Sequence, residues 1–97
     1  MRDWSILEEI WQVIQDRAEH PSAGSYVSSI LTHQKGIDRS LEKAGEEMVE
    51  FILAAKNPIP ERTVSEAADL LFHILVALQA SGIDAADVLD ELARRRK

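Results

Sequence analysis

The sequence contains no cysteine, so disulfides, thiol catalysis and cysteine-ligated zinc are all excluded. Aromatic residues make up only 5% of the 97 residues, and the chain has three prolines and four glycines. We find no apolar run that approaches the length of a membrane span, and acidic residues occur too early for a secretory signal. We therefore expect a cytoplasmic protein that does not bind a membrane.

Hydrophobic residues account for 45% of the chain and charged residues for 29%, which is typical of globular proteins. The net charge of −6 argues against nucleic-acid binding, and it suits a ligand that arrives with a cation. A chain of this length is long enough for one domain, residues 1–97, but it buries only a modest core. We therefore expect it to pair with a second copy as a homodimer.

Helical periodicity recurs along the whole chain, and no alternating pattern of useful length indicates a strand. Pro58 and Pro60 interrupt the periodicity and predict that a long helix ends at Asn57. The pattern predicts an all-α, single-domain bundle of four to five helices. These helices are expected at about residues 4–19, 25–33, 39–56, 61–81 and 85–97.

Short polar residues and glycines mark where these helices begin and end. Asp3, Asp38 and Asp84 are the expected N-caps of the first, third and last helices, because an aspartate side chain can accept a hydrogen bond from a free backbone N–H group. Gly36 is expected to cap the end of the second helix, and Gly82 lies just past the end of the fourth.

The segment "EAADLLFHILVAL", residues 66–78, is apolar except for Glu66, Asp69 and His73. Successive helical residues are about 100° apart, so these three side chains form one stripe on an otherwise apolar helix. A helix that is apolar nearly all round is a buried helix, and its polar stripe is then partly enclosed. An enclosed carboxylate must be protonated, paired with a base or bound to a metal.

The third helix carries a second acidic stripe, formed by Glu46, Glu47 and Glu50 beside Lys43. The connection to the fourth helix is short, so the two helices are expected to be antiparallel neighbours whose carboxylates converge. Several carboxylates in one small volume need a counter-charge. Mg²⁺, or Mn²⁺ in its place, is the natural one because both prefer oxygen ligands.

Each part of this cluster also has a structural explanation. Glu66 follows Thr63 by three residues, which is a capping-box spacing, and the acids of the third helix could form a solvated face that pairs with Lys43. His73 could be a packed core residue. Asp69 fits such explanations least well, because aspartate is a weak helix former and its neighbours are apolar. The combination of two acidic pairs across a short loop favours a metal site.

These residues also match a known pattern. "GEEMVE" at 45–50 and "EAAD" at 66–69 resemble the EExxE…ExxD signature of the all-α nucleoside-triphosphate pyrophosphohydrolases, the MazG-like superfamily. The segments "GSYVSSIL", "EKAGEEMVEFILAAK" and "EAADLLFHILVAL" are similar, more specifically, to the phosphoribosyl-ATP pyrophosphatase family. The resemblance covers roughly residues 5–93. Val27, where threonine is common after "SY", and Ala44 before "GEE" depart from the family pattern.

The resemblance implies a Mg²⁺-dependent hydrolysis of phosphoribosyl-ATP to phosphoribosyl-AMP and pyrophosphate, the second step of histidine biosynthesis, by a helical homodimer. It places the metal ligands at Glu47, Glu50, Glu66 and Asp69, with Glu46 nearby. Glu46 or Glu47 is then the expected general base for the attacking water.

Further residues are candidates for substrate contacts. Lys43 and Lys56 flank the acidic stripe and could reach phosphate oxygens, and Arg39 is a third cation on the same helix. Tyr26 could stack on the nucleotide or hydrogen-bond to it. His73 is expected to support the site by hydrogen-bonding a carboxylate. Two other functions stay open: a house-cleaning pyrophosphohydrolase for another nucleotide, and a non-catalytic helical dimerisation module.

Overall fold

The computed structural model describes residues 3–96, and all the regular structure in this range is helical. The prediction of an all-α fold is therefore confirmed. The helices are α1 (Ser5–Glu19), α2 (Tyr26–Leu31), α3 (Ile37–Lys56), α4 (Pro60–Ala80) and α5 (Ala85–Arg95).

α3 and α4 form the central helical hairpin. Asn57 ends α3, as predicted, and its side-chain amide donates to the carbonyl oxygen of Leu53 at 2.7 Å. Pro60 begins α4, where its missing N–H group costs nothing. The Thr63 hydroxyl then donates to the Ala54 carbonyl oxygen at 3.1 Å and joins the two helices just beyond the turn.

The hydrophobic core lies where α1 and α2 pack against the second half of α4. Its buried members are few, as expected for a short chain: Trp11, Ile14, Val27, Ile30 and Val76. α3 contributes to the interior mainly through small side chains, since Ser40 and Ala54 are its only buried residues. The core therefore fixes α1, α2 and α4, and α3 is held chiefly by its pairing with α4.

One of the predicted caps is confirmed and the others are corrected. Asp84 caps α5 by accepting from the backbone N–H of Ala86 at 2.9 Å. Asp3 accepts from the Ser5 N–H at 2.9 Å, but the N-cap residue of α1 is Trp4, so the prediction of Asp3 as this N-cap is wrong by one residue. Asp38 is not an N-cap, because α3 already begins at Ile37 and Asp38 lies in its first turn. Gly36 precedes α3 and does not cap α2, which ends earlier.

α4 is long and apolar enough to cross a membrane, with a mean hydropathy of 1.3. The statement from the sequence that no segment reaches this length is therefore wrong on length and composition. The same profile is typical of the central helix of a helical bundle, and α4 packs against each of the other four helices. It also carries Glu66, Asp69 and His73 on one side.

The polarity of the α3–α4 hairpin is inverted in the single chain. The polar stripe of α4 is partly enclosed, with His73 buried, Glu66 half-buried and Asp69 exposed. Large apolar side chains point outward from the same two helices. They include Leu41, Met48, Val49, Ile52 and Leu53 on α3, and Val64, Leu71 and Ile74 on α4. An isolated soluble domain rarely exposes a contiguous apolar surface of this kind.

We predict that Gly36→Ala destabilises the protein by about 1–3 kcal/mol, because Gly36 has φ +62° and ψ −137°, a combination that only glycine adopts without strain. Urea unfolding followed by circular dichroism measures the effect. Gly24→Ala is the control, since Gly24 lacks a positive φ and an added Cβ meets nothing within 4 Å. Equal effects of the two substitutions would contradict the prediction.

Candidate active site: a carboxylate cluster between two helices

Three acidic side chains meet between α3 and α4. Glu47, Glu66 and Asp69 each place one carboxylate oxygen so that the three oxygens all lie within 4.8 Å of one another. Glu47 and Glu66 are half-buried, and Asp69 is exposed. The structure thus brings together three of the four predicted metal ligands, one from α3 and two from α4.

The hairpin sets the height of these carboxylates. Ala54 and Thr63 are hydrogen-bonded across the turn, and this bond fixes the register of the two helices. Glu47 lies about 10 Å along α3 from Ala54, and Asp69 lies about 9 Å along α4 from Thr63. The two acids therefore face each other, with Glu66 between Asp69 and the turn. The sequence did not single out Thr63 for this role, because a hydroxyl bonded to a distant carbonyl leaves no local pattern.

The capping-box explanation of Glu66 is excluded by the same contact. The Thr63 side chain is engaged with Ala54, and α4 begins four residues earlier than a cap at Thr63 would require. Among the described residues, no cation forms an ion pair with Glu66 or Asp69. Their negative charge is therefore left for a ligand to balance.

Glu46 and Glu50 lie outside this group of three. Glu50 is exposed on α3 one turn beyond Glu47, so its role as a metal ligand stays a prediction. Glu46 is also exposed, and it accepts a hydrogen bond from Lys43 at 3.0 Å. Glu46 therefore lies beside the cluster, on the side where Lys43 approaches it.

Lys43 supplies positive charge at the edge of the cluster. Its Nζ atom lies 3.0 Å from a Glu46 oxygen and 4.0 Å from a Glu47 oxygen, and only 18% of its side chain is exposed. The hydrogen bond to Glu46 raises the pKa of Lys43, and the neighbouring Tyr26 and Glu47 act in the same direction against partial burial. Lys43 therefore remains a cation that is held by the site's own acids.

His73 is buried and has a different partner from the one predicted. Its Nδ1 lies 2.7 Å from the backbone carbonyl oxygen of Asp69, and its Nε2 lies 2.9 Å from the hydroxyl of Tyr26. The expected hydrogen bond to a carboxylate side chain is thus wrong. A carbonyl can only accept, so Nδ1 donates to Asp69, and Nε2 of the uncharged ring accepts the Tyr26 proton.

The other two predicted cations are not brought to the three carboxylates. Arg39 lies 3.6 Å from Glu42, in a surface ion pair one turn before Lys43. Lys56 is exposed in the last turn of α3 and forms no ion pair with a described residue. Their predicted contacts with substrate phosphates are neither supported nor opposed by these positions.

The donor set fits a hard divalent cation. All three side chains offer carboxylate oxygens, and neither histidine nor cysteine belongs to the group. Oxygens on opposite sides of a bound Mg²⁺ are about 4.2 Å apart, twice the Mg–O distance. The spacing of up to 4.8 Å is thus slightly wide, and a small rotation of the long Glu47 and Glu66 side chains closes it.

An antiparallel helix pair with facing carboxylates defines a class of all-α proteins that hold an acidic site between two helices. Comparison with known proteins gives the particular family. Residues 7–96 match the family model described as phosphoribosyl-ATP pyrophosphohydrolase. The chain therefore belongs to the phosphoribosyl-ATP pyrophosphohydrolase family.

Several proteins named phosphoribosyl-ATP pyrophosphatase match this chain over nearly their whole length. A protein of Methanoculleus marisnigri named phosphoribosyl-ATP pyrophosphatase is 84% identical over 97 residues, which covers 100% of both chains. Its namesake from Methanosphaerula palustris is 59% identical and covers 100% of this chain and 98% of its own. One from Methanosarcina acetivorans is 42% identical, with 98% and 91% covered.

We predict that Glu66→Gln stabilises the protein in EDTA and abolishes its stabilisation by Mg²⁺. Removing one of three close negative charges relieves about 1 kcal/mol of repulsion, which corresponds to a rise in Tm on the order of 4–8 °C. Thermal unfolding with and without Mg²⁺ measures both effects. Glu61→Gln, an exposed acid in the first turn of the same helix, is the matched control and should behave like wild type. A Mg²⁺-dependent rise in Tm that survives in Glu66→Gln would remove Glu66 from the site.

Proposed function

We propose that this chain hydrolyses phosphoribosyl-ATP at its α–β phosphoanhydride, with Mg²⁺, to phosphoribosyl-AMP and pyrophosphate, in histidine biosynthesis. The observation that carries the proposal is the convergence of Glu47, Glu66 and Asp69 in a member of this family. The names of the relatives supply the substrate. A nucleotide substrate is present inside the cell, which agrees with the predicted cytoplasmic location.

The three converging carboxylates are the residues that would hold Mg²⁺, or Mn²⁺ in its place. Glu50 adds a fourth carboxylate from α3, since it lies only one turn from Glu47 and its exposed side chain is free to turn toward the cluster. When bound, the cation neutralises phosphate charge and polarises the attacked phosphorus. The affinity of the site for a phosphate chain therefore depends on the cation being present.

The remaining charged residues orient the substrate and move the proton. Lys43 binds phosphate oxygens at the edge of the cluster, and Lys56 and Arg39 contact the more distant phosphates. Glu46 is the candidate base, because it lies outside the three-carboxylate group and is paired only with Lys43. A water molecule attacks the α-phosphorus, and its proton passes to Glu46. The bond from the α-phosphorus to the α–β bridging oxygen then breaks, and pyrophosphate leaves. Neither step needs a covalent enzyme intermediate.

We also propose that the functional unit is a homodimer. The accessible surface of the single chain is 7181 Å², whereas a monomeric protein of 10.9 kDa is expected to expose about 5,600 Å². Its radius of gyration, 14.4 Å, likewise exceeds the value of about 12.5 Å expected for a compact domain of this length. The excess surface is more than the roughly 800 Å² that each partner buries in a standard interface. The exposed apolar side chains of α3 and α4 support the outer face of the hairpin as that interface.

We predict that Ile52→Glu converts the dimer to a monomer, because Ile52 is half exposed in the middle of the apolar face of α3. Sedimentation equilibrium should give twice the chain mass for wild type and the chain mass for the variant. Gln12→Glu adds the same charge at an exposed position of α1 and should remain dimeric. A wild-type protein that sediments as a monomer at micromolar concentration would contradict the dimer.

We predict that Asp69→Asn lowers pyrophosphate release from phosphoribosyl-ATP by at least about a hundredfold, since it removes a charged oxygen ligand whose loss costs several kcal/mol in the transition state. The helical circular-dichroism signal should be retained. Asp87→Asn, an exposed acid of α5, is the control. EDTA should stop turnover by the wild type, and Mg²⁺ should restore it.

The choice of substrate is tested with a panel of nucleotides under the same conditions. Turnover confined to phosphoribosyl-ATP supports the proposal. Broad hydrolysis of non-standard or deoxynucleoside triphosphates would instead indicate a house-cleaning enzyme with the same site. No turnover of any nucleotide with Mg²⁺ would indicate a non-catalytic dimerisation module.

A further inference from the structure

The ring of Tyr26 is tied to α4 next to an acid of the carboxylate cluster. Its hydroxyl is hydrogen-bonded to His73 at 2.9 Å, and His73 is in turn bonded to the backbone carbonyl of Asp69. The ring is stacked with Phe72, with centroids 6.2 Å apart and planes 23° from parallel, and it is nearly perpendicular to His73, at 5.7 Å and 82°. Half of the residue is exposed, and among the described residues no second ring stacks on the face turned away from Phe72, which is the open face of the ring.

The hydrogen bonds of His73 decide how Tyr26 can contact a nucleotide. Because His73 donates from Nδ1 to the Asp69 carbonyl, its Nε2 accepts, and the Tyr26 hydroxyl is the donor. The tyrosine proton is therefore committed and is not available to a nucleobase. The hydroxyl oxygen can still accept a hydrogen bond, so the structure excludes only donation to a nucleobase and leaves stacking on the open face as the other contact.

The same hydrogen bond makes that open face more negative. A phenol that donates its proton to an imidazole nitrogen shifts electron density onto its oxygen and ring. The face of an aromatic ring already carries the negative part of its quadrupole, and it attracts cations within about 6 Å of the centroid. Tyr26 is thus a better platform for a positively charged flat group than for a neutral one.

The substrate of the proposed function has such a group. In phosphoribosyl-ATP a second ribose is attached to N1 of adenine, and an adenine alkylated at N1 carries a delocalised positive charge at neutral pH. ATP and the other common nucleotides have neutral bases. The charge of the base therefore distinguishes this substrate from the nucleotides that are abundant in the cell.

We propose that Tyr26 is a specificity-determining residue, whose open ring face stacks on the cationic N1-substituted adenine, and that His73 is the positioning residue that orients and polarises this ring. The inference rests on the proposed function for the identity of the base.

The charges around Tyr26 are compatible with a cationic base. Lys43 lies near Tyr26, and it is already balanced by Glu46 at 3.0 Å and Glu47 at 4.0 Å. Arg17 lines the same surface cavity as Tyr26, and it is paired with Asp16 at 2.6 Å. Both of these cations therefore have acidic partners before a metal ion or a phosphate chain binds.

Binding of three nucleoside monophosphates, measured by NMR titration with Mg²⁺ present, tests this inference separately from catalysis, because none of them contains a phosphoanhydride. 1-Methyl-AMP has a cationic base, 1-methyl-IMP has the same methyl group on a neutral base, and AMP has neither. We expect 1-methyl-AMP to bind between about twofold and thirtyfold more tightly than both others. Its base protons should shift upfield on binding, since they lie over the Tyr26 ring.

Variants assign the preference to these two residues. Tyr26→Leu should abolish both the preference and the upfield shift, and Tyr26→Phe should keep the shift but lose part of the preference. His73→Gln, which offers an acceptor near the position of Nε2, should stay close to wild type, whereas His73→Leu should match Tyr26→Phe. If Tyr26→Leu fails to fold, Tyr26→Phe and the two His73 variants carry the test.

Three results would overturn the proposal. They are equal binding of 1-methyl-AMP and 1-methyl-IMP, a preference that is unchanged in Tyr26→Phe and Tyr26→Leu, and no binding of 1-methyl-AMP at millimolar concentration. None of them bears on hydrolysis, so the proposed function would stand. Conversely, a wild-type protein that prefers 1-methyl-AMP but does not hydrolyse phosphoribosyl-ATP would overturn the proposed hydrolysis alone.

Discussion

The repulsion among Glu47, Glu66 and Asp69 is the constraint on which the rest of the structure depends. Three carboxylates whose oxygens lie within 4.8 Å of one another oppose the approach of α3 and α4. The hairpin overcomes this opposition through a short turn and the hydrogen bond from Thr63 to the Ala54 carbonyl. The buried residues of α3, Ser40 and Ala54, are small, so the two helices can lie close together. The acids are thus kept close together by the packing, and the proposed cation would not have to assemble them.

This arrangement explains why the single chain encloses polar side chains of the α3–α4 hairpin and exposes apolar ones. A helix has only one inner face, and α4 uses much of its inner face for Glu66 and His73. Its large apolar residues, such as Leu71 and Ile74, are consequently turned outward. A protein that encloses a polar site in so small a chain has little apolar surface left for its own core, and the proposed second copy would cover the remainder. The composition alone raised this expectation, and the exposed apolar side chains support the outer face of the hairpin as the contact surface.

The sequence predicts the helices well and their ends unevenly, for reasons that differ by residue. Prolines 58 and 60 act locally, so the end of α3 at Asn57 follows from the sequence. Asp38 matches the N-cap pattern, but the chain enters α3 through Gly36, whose positive φ no local pattern reveals. Three of the four predicted metal ligands converge because helical periodicity places them on facing stripes. The actual partners of His73 and Thr63 are backbone carbonyls, which are the same at every position and leave no trace in the sequence.

One turn of α4 therefore couples the parts of the site that the proposed reaction needs. Asp69 offers its side chain to the cluster and its carbonyl to His73, and His73 in turn fixes the Tyr26 hydroxyl. Because α2 carries Tyr26, this chain of contacts ties α2 to the helix that holds the acids. His73→Leu is then expected to disturb the proposed base recognition without removing a proposed metal ligand, whereas Asp69→Asn removes a proposed ligand without altering the backbone carbonyl. Cation binding and base recognition are separable by mutation even though they meet at a single helical turn.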